Sequence, residues 1–178
     1  MQRQPRGPVG GIYSISSSGE LHLEYQGIGI PNTFASGVNG EMFISDSFRQ
    51  KTYKCTLDND NDNVWLSSDN VFLNLNGTVV TPDGGAVDEL GNLWIALWDG
   101  FSICCYSPQG KLLTEVKLPV PRPTNCCFGG PDMDILYITT ASDGLNQEQL
   151  EKSPFSGMTF FCKPDAKGLR QPTFNMDL

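Results

Sequence analysis

Three side chains in this sequence share a local setting although they stand far apart in the chain: Asn32, Asp83 and Thr124. Each directly follows a proline, and Pro31, Pro82 and Pro123 are spaced 51 and 41 residues apart. Each offers a side-chain oxygen. Hard divalent cations such as Ca²⁺ and Mg²⁺ collect carboxylate, amide and water oxygens from several elements at once. Taken singly, the same residues are ordinary turn chemistry, because Pro followed by Asp or Asn and then Gly is a common β-turn. The stretch TPDGGAVDELGNLWIALWDG, residues 81–100, poses that choice most sharply, with Asp83 set between a proline and two glycines ahead of an apolar run.

Other groups compete for a chemical role. Asp58, Asp60, Asp62 and Asp69 fall at positions 1, 3, 5 and 12 of a Ca²⁺ loop, but Asn63 stands where such a loop needs Gly, and the flanks read as strands. A solvated inter-strand loop is the better reading. Asp46, Asp99 and Asp143 each follow an apolar strand and suit turn or capping roles; Asp99 and Asp143, each preceding Gly, also sit where a channel mouth would place a substrate contact. The six cysteines show no CxxC spacing and His22 is the only histidine, so a zinc site is poorly supported and buried, reduced thiols are expected. Adjacent thiols on a strand point to opposite faces and do not bridge each other. No GxSxG elbow occurs.

The elements that must position Asn32, Asp83 and Thr124 are short strands. The sequence holds 19 Gly and 12 Pro, and between these punctuating residues lie runs such as EMFISDS, TYKCTL, NLWIALW, SICCYS and ILYITTAS. This is an all-β pattern; only Asn146 to Ser153, NQEQLEKS, reads as a helix. IPNTFASGVNGEMFISDS, TPDGGAVDELGNLWIALWDG and RPTNCCFGGPDMDILYITTASDG share one order of features: X-Pro, small or apolar residues, a Gly-containing turn, then an apolar strand. Repeats of about 40–50 residues built from four short strands are the signature of β-propeller blades. Units near 11–60, 61–110 and 111–165 follow within a single domain over 1–178, the first with strands near 21–25, 33–37, 42–46 and 51–57. In a propeller the strand after X-Pro lines the central channel, which brings Asn32, Asp83 and Thr124 to one axis. A β-sandwich gives no reason for the repeated X-Pro. Met42, Trp94 and Tyr137 recur in the following strand and read as core, Trp65 as loop or blade-edge packing, and Arg49 and Lys51 as solvated.

The segments IPN, TPDGGAVDELGNLWIALWDG, LPVPRPTNCCFGGPDMDILYITTASDGL and SGMTFF resemble the senescence marker protein / gluconolactonase / luciferin-regenerating enzyme family. The resemblance runs from about Gly10 onward. It implies a six-bladed propeller with one divalent cation in the axial channel and hydrolysis of sugar or other lactones, with Ca²⁺ as the first expectation and Zn²⁺, Mg²⁺ or Mn²⁺ as alternatives. On this resemblance Asn32 is a metal ligand, and Asp83 is both a metal ligand and the general base. A cation beside a carboxylate suits the chemistry, because one polarises the lactone carbonyl while the other takes a proton from water.

The family supplies a further metal-binding glutamate and substrate-binding Arg, Asn and Glu side chains from segments that would precede residue 1. The chain aligns with the second half of the family, so an incomplete ring of about three to four blades is expected. It is then a piece of a longer polypeptide, a truncated product, or one half of a homodimer that completes the ring. An open half-propeller leaves unpaired edges and an uncovered apolar face, so association is expected.

The totals limit the remaining function classes. The 178 residues suit one domain, and 12 basic against 20 acidic residues give a net charge of −8 with no Lys/Arg cluster, which argues against nucleic acid. The apolar runs are too short to span a bilayer. The opening MQRQPRGPVG has no apolar h-region, so Asn76-Gly77-Thr78 is read as an idle glycosylation acceptor and the expected location is cytoplasmic.

Overall fold

The computed structural model describes residues 7–56, 66 and 68–175. Asp58, Asp60, Asp62, Asn63 and Trp65 lie outside them. Among the described residues the chain forms four antiparallel sheets in succession. The first is a two-stranded hairpin of β1 (Gly10–Ile15) and β2 (Leu21–Ile28). The second pairs β3 (Pro31–Ser36), β4 (Glu41–Asp46), β5 (Lys51–Thr56) and β6 (Val71–Asn74) in chain order. The third does the same with β7 (Thr81–Val87), β8 (Leu93–Trp98), β9 (Ser102–Tyr106) and β10 (Leu112–Lys117). The fourth holds β11 (Pro123–Gly129), β12 (Ile135–Thr140) and β13 (Phe160–Cys162).

The molecule is therefore all-β, in an arrangement consistent with a propeller-like fold; the sheets do not close a ring. The strands expected near 21–25, 33–37, 42–46 and 51–57 are present, but their grouping differs. Leu21–Ile28 pairs with Gly10–Ile15, and Val71–Asn74 is the fourth strand beside Lys51–Thr56. The expected helix is α1 (Gln147–Lys152), held by a capping box in which Gln149 N–H donates to Asn146 Oδ1 and Asn146 N–H to Gln149 Oε1.

The core is divided among the gaps between neighbouring sheets, which explains why β8 is apolar along its whole length. Leu93, Ile95 and Leu97 point to one side and pack with Ala35, Phe43 and Val87. Trp94 and Ala96 point to the other and pack with Cys126, Phe128 and Ile138. A strand covered on both faces has no polar side to show. The adjacent thiols Cys104 and Cys105 split the same way between these two clusters.

Three core and surface expectations need correction. Tyr137 is 38% exposed, because on β12 the inward residues are its neighbours Leu136 and Ile138. Cys127 is exposed, unlike the buried Cys126 beside it. Arg49 is not simply solvated: its guanidinium pairs with the fully buried Asp46 and donates to the Gly27 carbonyl oxygen at 3.0 Å. Asp46 also accepts from the N–H groups of Gly29, Ile30 and Arg49, so it is a structural cap as expected.

Candidate functional site

Strands β3, β7 and β11 are the X-Pro strands, and β7 packs against both of the others. Each carries a register irregularity at the same place. Between Asn32 and Ala35, between Pro82 and Gly85, and between Pro123 and Asn125, the X-Pro strand uses one more residue than its partner. A bulge of this kind re-aims the side chains next to it. Thr33, buried and β-branched, takes φ 53° at the first bulge, a conformation such residues hold only when their surroundings enforce it.

Those surroundings are a relay of hydroxyls running from the second sheet into the third. Ser45 Oγ lies 2.8 Å from Thr52 Oγ1 and donates to Thr33 Oγ1 at 2.8 Å, and Thr33 in turn donates to the Asp83 carbonyl oxygen. Beside it, Ser47 Oγ donates to the Pro82 carbonyl oxygen at 2.6 Å and accepts from Asn32 Nδ2 at 2.9 Å. With the Ser47 proton committed to Pro82, the amide nitrogen of Asn32 must face Ser47, which leaves Oδ1 as the atom presented elsewhere. The two glycines after Asp83 are required by close packing. A Cβ on Gly84 would run into the Asn125 carboxamide, and one on Gly85 would lie 2.6 Å from the Trp94 carbonyl oxygen.

Asn32, Asp83 and Thr124 line one cavity of about 810 Å³, together with Ile30, Ser47, Thr81, Pro82, Trp98, Ala141 and Asp143. Asp143 thus reaches the cavity, whereas Asp99 does not line it; Asp99 accepts from Arg122 Nε at 2.7 Å. Burial pushes the Asp83 carboxyl up to about 6, partly offset by the Gly84 N–H. No ion pair compensates Asp83 among the described residues.

The donor set is an amide oxygen, a carboxylate and a hydroxyl, which fits a hard cation and not a thiophilic one. A half-buried carboxylate with no cationic partner is also the group a cation would relieve. The fit extends only to these oxygens, because no cluster of three His, Cys, Asp or Glu side chains able to hold a metal occurs among the described residues. Sequence reading missed Ser47, Trp98 and Arg122. Ser47, in the turn just after β4, was detectable only as part of the SDS of residues 45–47; the Trp98–Arg122 contact had no local signal. No helix among the described residues is long and apolar enough to cross a membrane.

Residues 1–142 match the model of the SMP-30/Gluconolactonase/LRE-like region. The chain is 45% identical over 80 residues to regucalcin of Gallus gallus, covering 44% of this chain and 27% of that protein. It is 39% identical over 93 residues to the 6-deoxy-6-sulfogluconolactonase of Pseudomonas putida, covering 52% of this chain and 32% of that one. It shares the fold of a calcium-binding protein, regucalcin, from Agrobacterium tumefaciens, with a TM-score of 0.88 at 24% identity over 99% of this chain and 59% of that one. The chain spans less than two thirds of the length of these relatives.

Proposed function

Because the chain belongs to the SMP-30/Gluconolactonase/LRE-like family, we propose that it forms part of a divalent-metal-dependent, cytoplasmic hydrolase of gluconolactone-type lactones. The observation that carries this reading is the convergence of Asn32, Asp83 and Thr124, from three neighbouring sheets, on one cavity. The sulfogluconolactonase relative and the calcium-binding regucalcin relative support the substrate class and the metal class respectively. The domain is taken as a single partial propeller over 1–178, about three to four blades of a six-bladed plan.

Asn32 Oδ1 and the Asp83 carboxylate would hold the cation, Ca²⁺ first, with Zn²⁺, Mg²⁺ or Mn²⁺ as alternatives. The chemistry supplied by a bound cation is Lewis-acid polarisation of the lactone carbonyl. Asp83 acts as general base and takes a proton from water as its oxygen bonds to the carbonyl carbon. The ring C–O bond then breaks, and Asp83 returns the proton to the departing oxygen to give the hydroxy acid. The Thr33 and Ser47 hydrogen bonds to the carbonyl oxygens of residues 83 and 82 fix the backbone that carries this carboxylate.

The test is hydrolysis of D-glucono-1,5-lactone with each divalent metal, for the chain and for Asp83→Asn. Metal-dependent turnover lost in the variant is expected. Turnover that survives Asp83→Asn unchanged removes Asp83 as the base. A second reading, a catalytically incomplete half-propeller that binds a cation or serves as an interaction module, is favoured by the single carboxylate of the donor set and by the fraction of the relatives' length covered. Cation binding without turnover selects it.

A further inference from the structure

The cavity is lined by residues of two unlike kinds. Its polar lining holds Asn32, Asp83 and Thr124, with Ser47, Thr81 and Asp143; its apolar lining holds Trp98, with Ile30, Pro82 and Ala141. Trp98 is held by Arg122, which does not itself line the cavity. The Arg122 guanidinium carbon stands 4.9 Å from the centre of its ring, close enough for a cation–π contact. Arg122 is itself held at both ends, with Nε donating to Asp99 Oδ1 at 2.7 Å and its terminal nitrogen donating to the Asp143 carbonyl oxygen. The turn after Trp98 is also over-determined. Asp99 and Phe101 both take positive φ, 60° and 56°, while Phe101 N–H donates to the Pro121 carbonyl oxygen at 3.2 Å and its own carbonyl accepts from Leu118 N–H at 2.7 Å. Strain of this sort persists where surrounding contacts hold it, and it clusters at ligand clamps.

We propose that Trp98, backed by Arg122, is the specificity-determining wall of the cavity and takes the carbon-bound face of a sugar-ring lactone while the ring oxygens and carbonyl face Asn32, Asp83 and Thr124. A pyranose lactone has an apolar C–H face and an oxygen-rich edge, and this pairing of a rigid aromatic with a few convergent polar atoms is how pockets orient such molecules. A small lactone lacking the polyhydroxylated ring gains little from the indole. The inference rests on the lactonase reading and assigns the residue that selects its substrate.

The test is isothermal titration, in saturating Ca²⁺, of 1,5-anhydro-D-glucitol, a pyranose that cannot be hydrolysed, into the chain and into its Trp98→Phe, Trp98→Leu and Trp98→Ala variants. Trp98→Phe is expected to stay within about threefold of the parent, and Trp98→Leu and Trp98→Ala to weaken binding by about tenfold or more. Leu keeps apolar bulk, so it reports on the ring itself should the Ala variant fail to fold. Equal affinity of the parent and Trp98→Leu overturns this inference while leaving the lactonase reading in place. No binding by the parent overturns both for this chain.

Discussion

Asn32 and Ser47 are joined by a hydrogen bond of 2.9 Å, and the Ser47 hydroxyl itself donates to the Pro82 carbonyl oxygen at 2.6 Å. One hydroxyl therefore sets the orientation of a proposed ligand in the second sheet and anchors the backbone just before the proposed base in the third. Removing it should loosen both. Ser47→Ala is expected to cost about 1–2 kcal/mol of unfolding free energy, because it leaves buried polar partners unmatched. It should also weaken Ca²⁺ binding several-fold, read by chemical denaturation and by calorimetric titration; unchanged Ca²⁺ affinity would show that Asn32 needs no such orientation.

Asp83 is expected to be a liability without a cation. Its folded-state carboxyl, pushed up from 3.8 to about 6 by burial, binds more protons than the unfolded chain between those values, so its contribution to stability falls as pH rises from about 4 to about 6. In the metal-free chain Asp83→Asn should match the parent near pH 4 and exceed it above pH 7 by on the order of 1–2 kcal/mol after allowing for solvent screening. Thermal melts in chelator across this range provide the measurement, and a variant no more stable at pH 8 than at pH 4, relative to the parent, contradicts the burial cost.

Adding Ca²⁺ should reverse that order. The parent is expected to melt higher in millimolar Ca²⁺ and to return to its starting value on chelation, whereas Asp83→Asn should gain little. Replacing Asp58, Asp60 and Asp62 together with Asn should leave the Ca²⁺ shift intact. Loss of the shift in that triple variant, with Asp83→Asn responding normally, would move the cation to the acidic stretch of residues 58–69.

Asp88 is 1% exposed and accepts from the N–H groups of Leu90 and Asn92, from Asn92 Nδ2 and from the Trp94 indole. Asp88→Ala strands these donors and is expected to cost about 2–4 kcal/mol, seen as a lowered denaturation midpoint. A loss under about 1 kcal/mol would mean that water replaces the carboxylate.

The outer face of the first hairpin pairs Tyr13 with Leu23 and Ile15 with Leu21, all four between 48% and 64% exposed. Light scattering of the isolated chain at micromolar concentration is therefore expected to show association, including the homodimer proposed to complete the ring, and charged replacements at Tyr13 and Leu23 should suppress it. A monodisperse monomer speaks against this face being adhesive.

Much of the architecture was legible because the X-Pro spacing repeats, and the same spacing placed Asn32, Asp83 and Thr124 together. What escaped depends on which strand lies against which. The bulges are properties of pairing, one extra residue against a partner, and leave no mark in a single strand. The fourth strand of the second sheet begins at Val71, fifteen residues after β5 ends at Thr56, so their pairing could not be read from a short connection. Tyr137 aligned with Trp94 by pattern, but the fourth sheet is covered mainly on the face that holds Leu136 and Ile138, so its alternation differs from that of β8. Trp98 and Arg122 stand 24 positions apart with both β9 and β10 between them, a distance over which side-chain pairing is decided by the fold.

The extra residue in each X-Pro strand carries one further consequence. Past each bulge the inward and outward alternation resumes, so Ala35, Val87 and Phe128 still reach their interiors whatever stands at 32, 83 or 124. Each bulge thus sets the positions that line the cavity apart from the positions of the same strand that fill the core. Such a scaffold can exchange the groups that line its cavity, and with them its preferred substrate, while the apolar positions further along each strand keep their places.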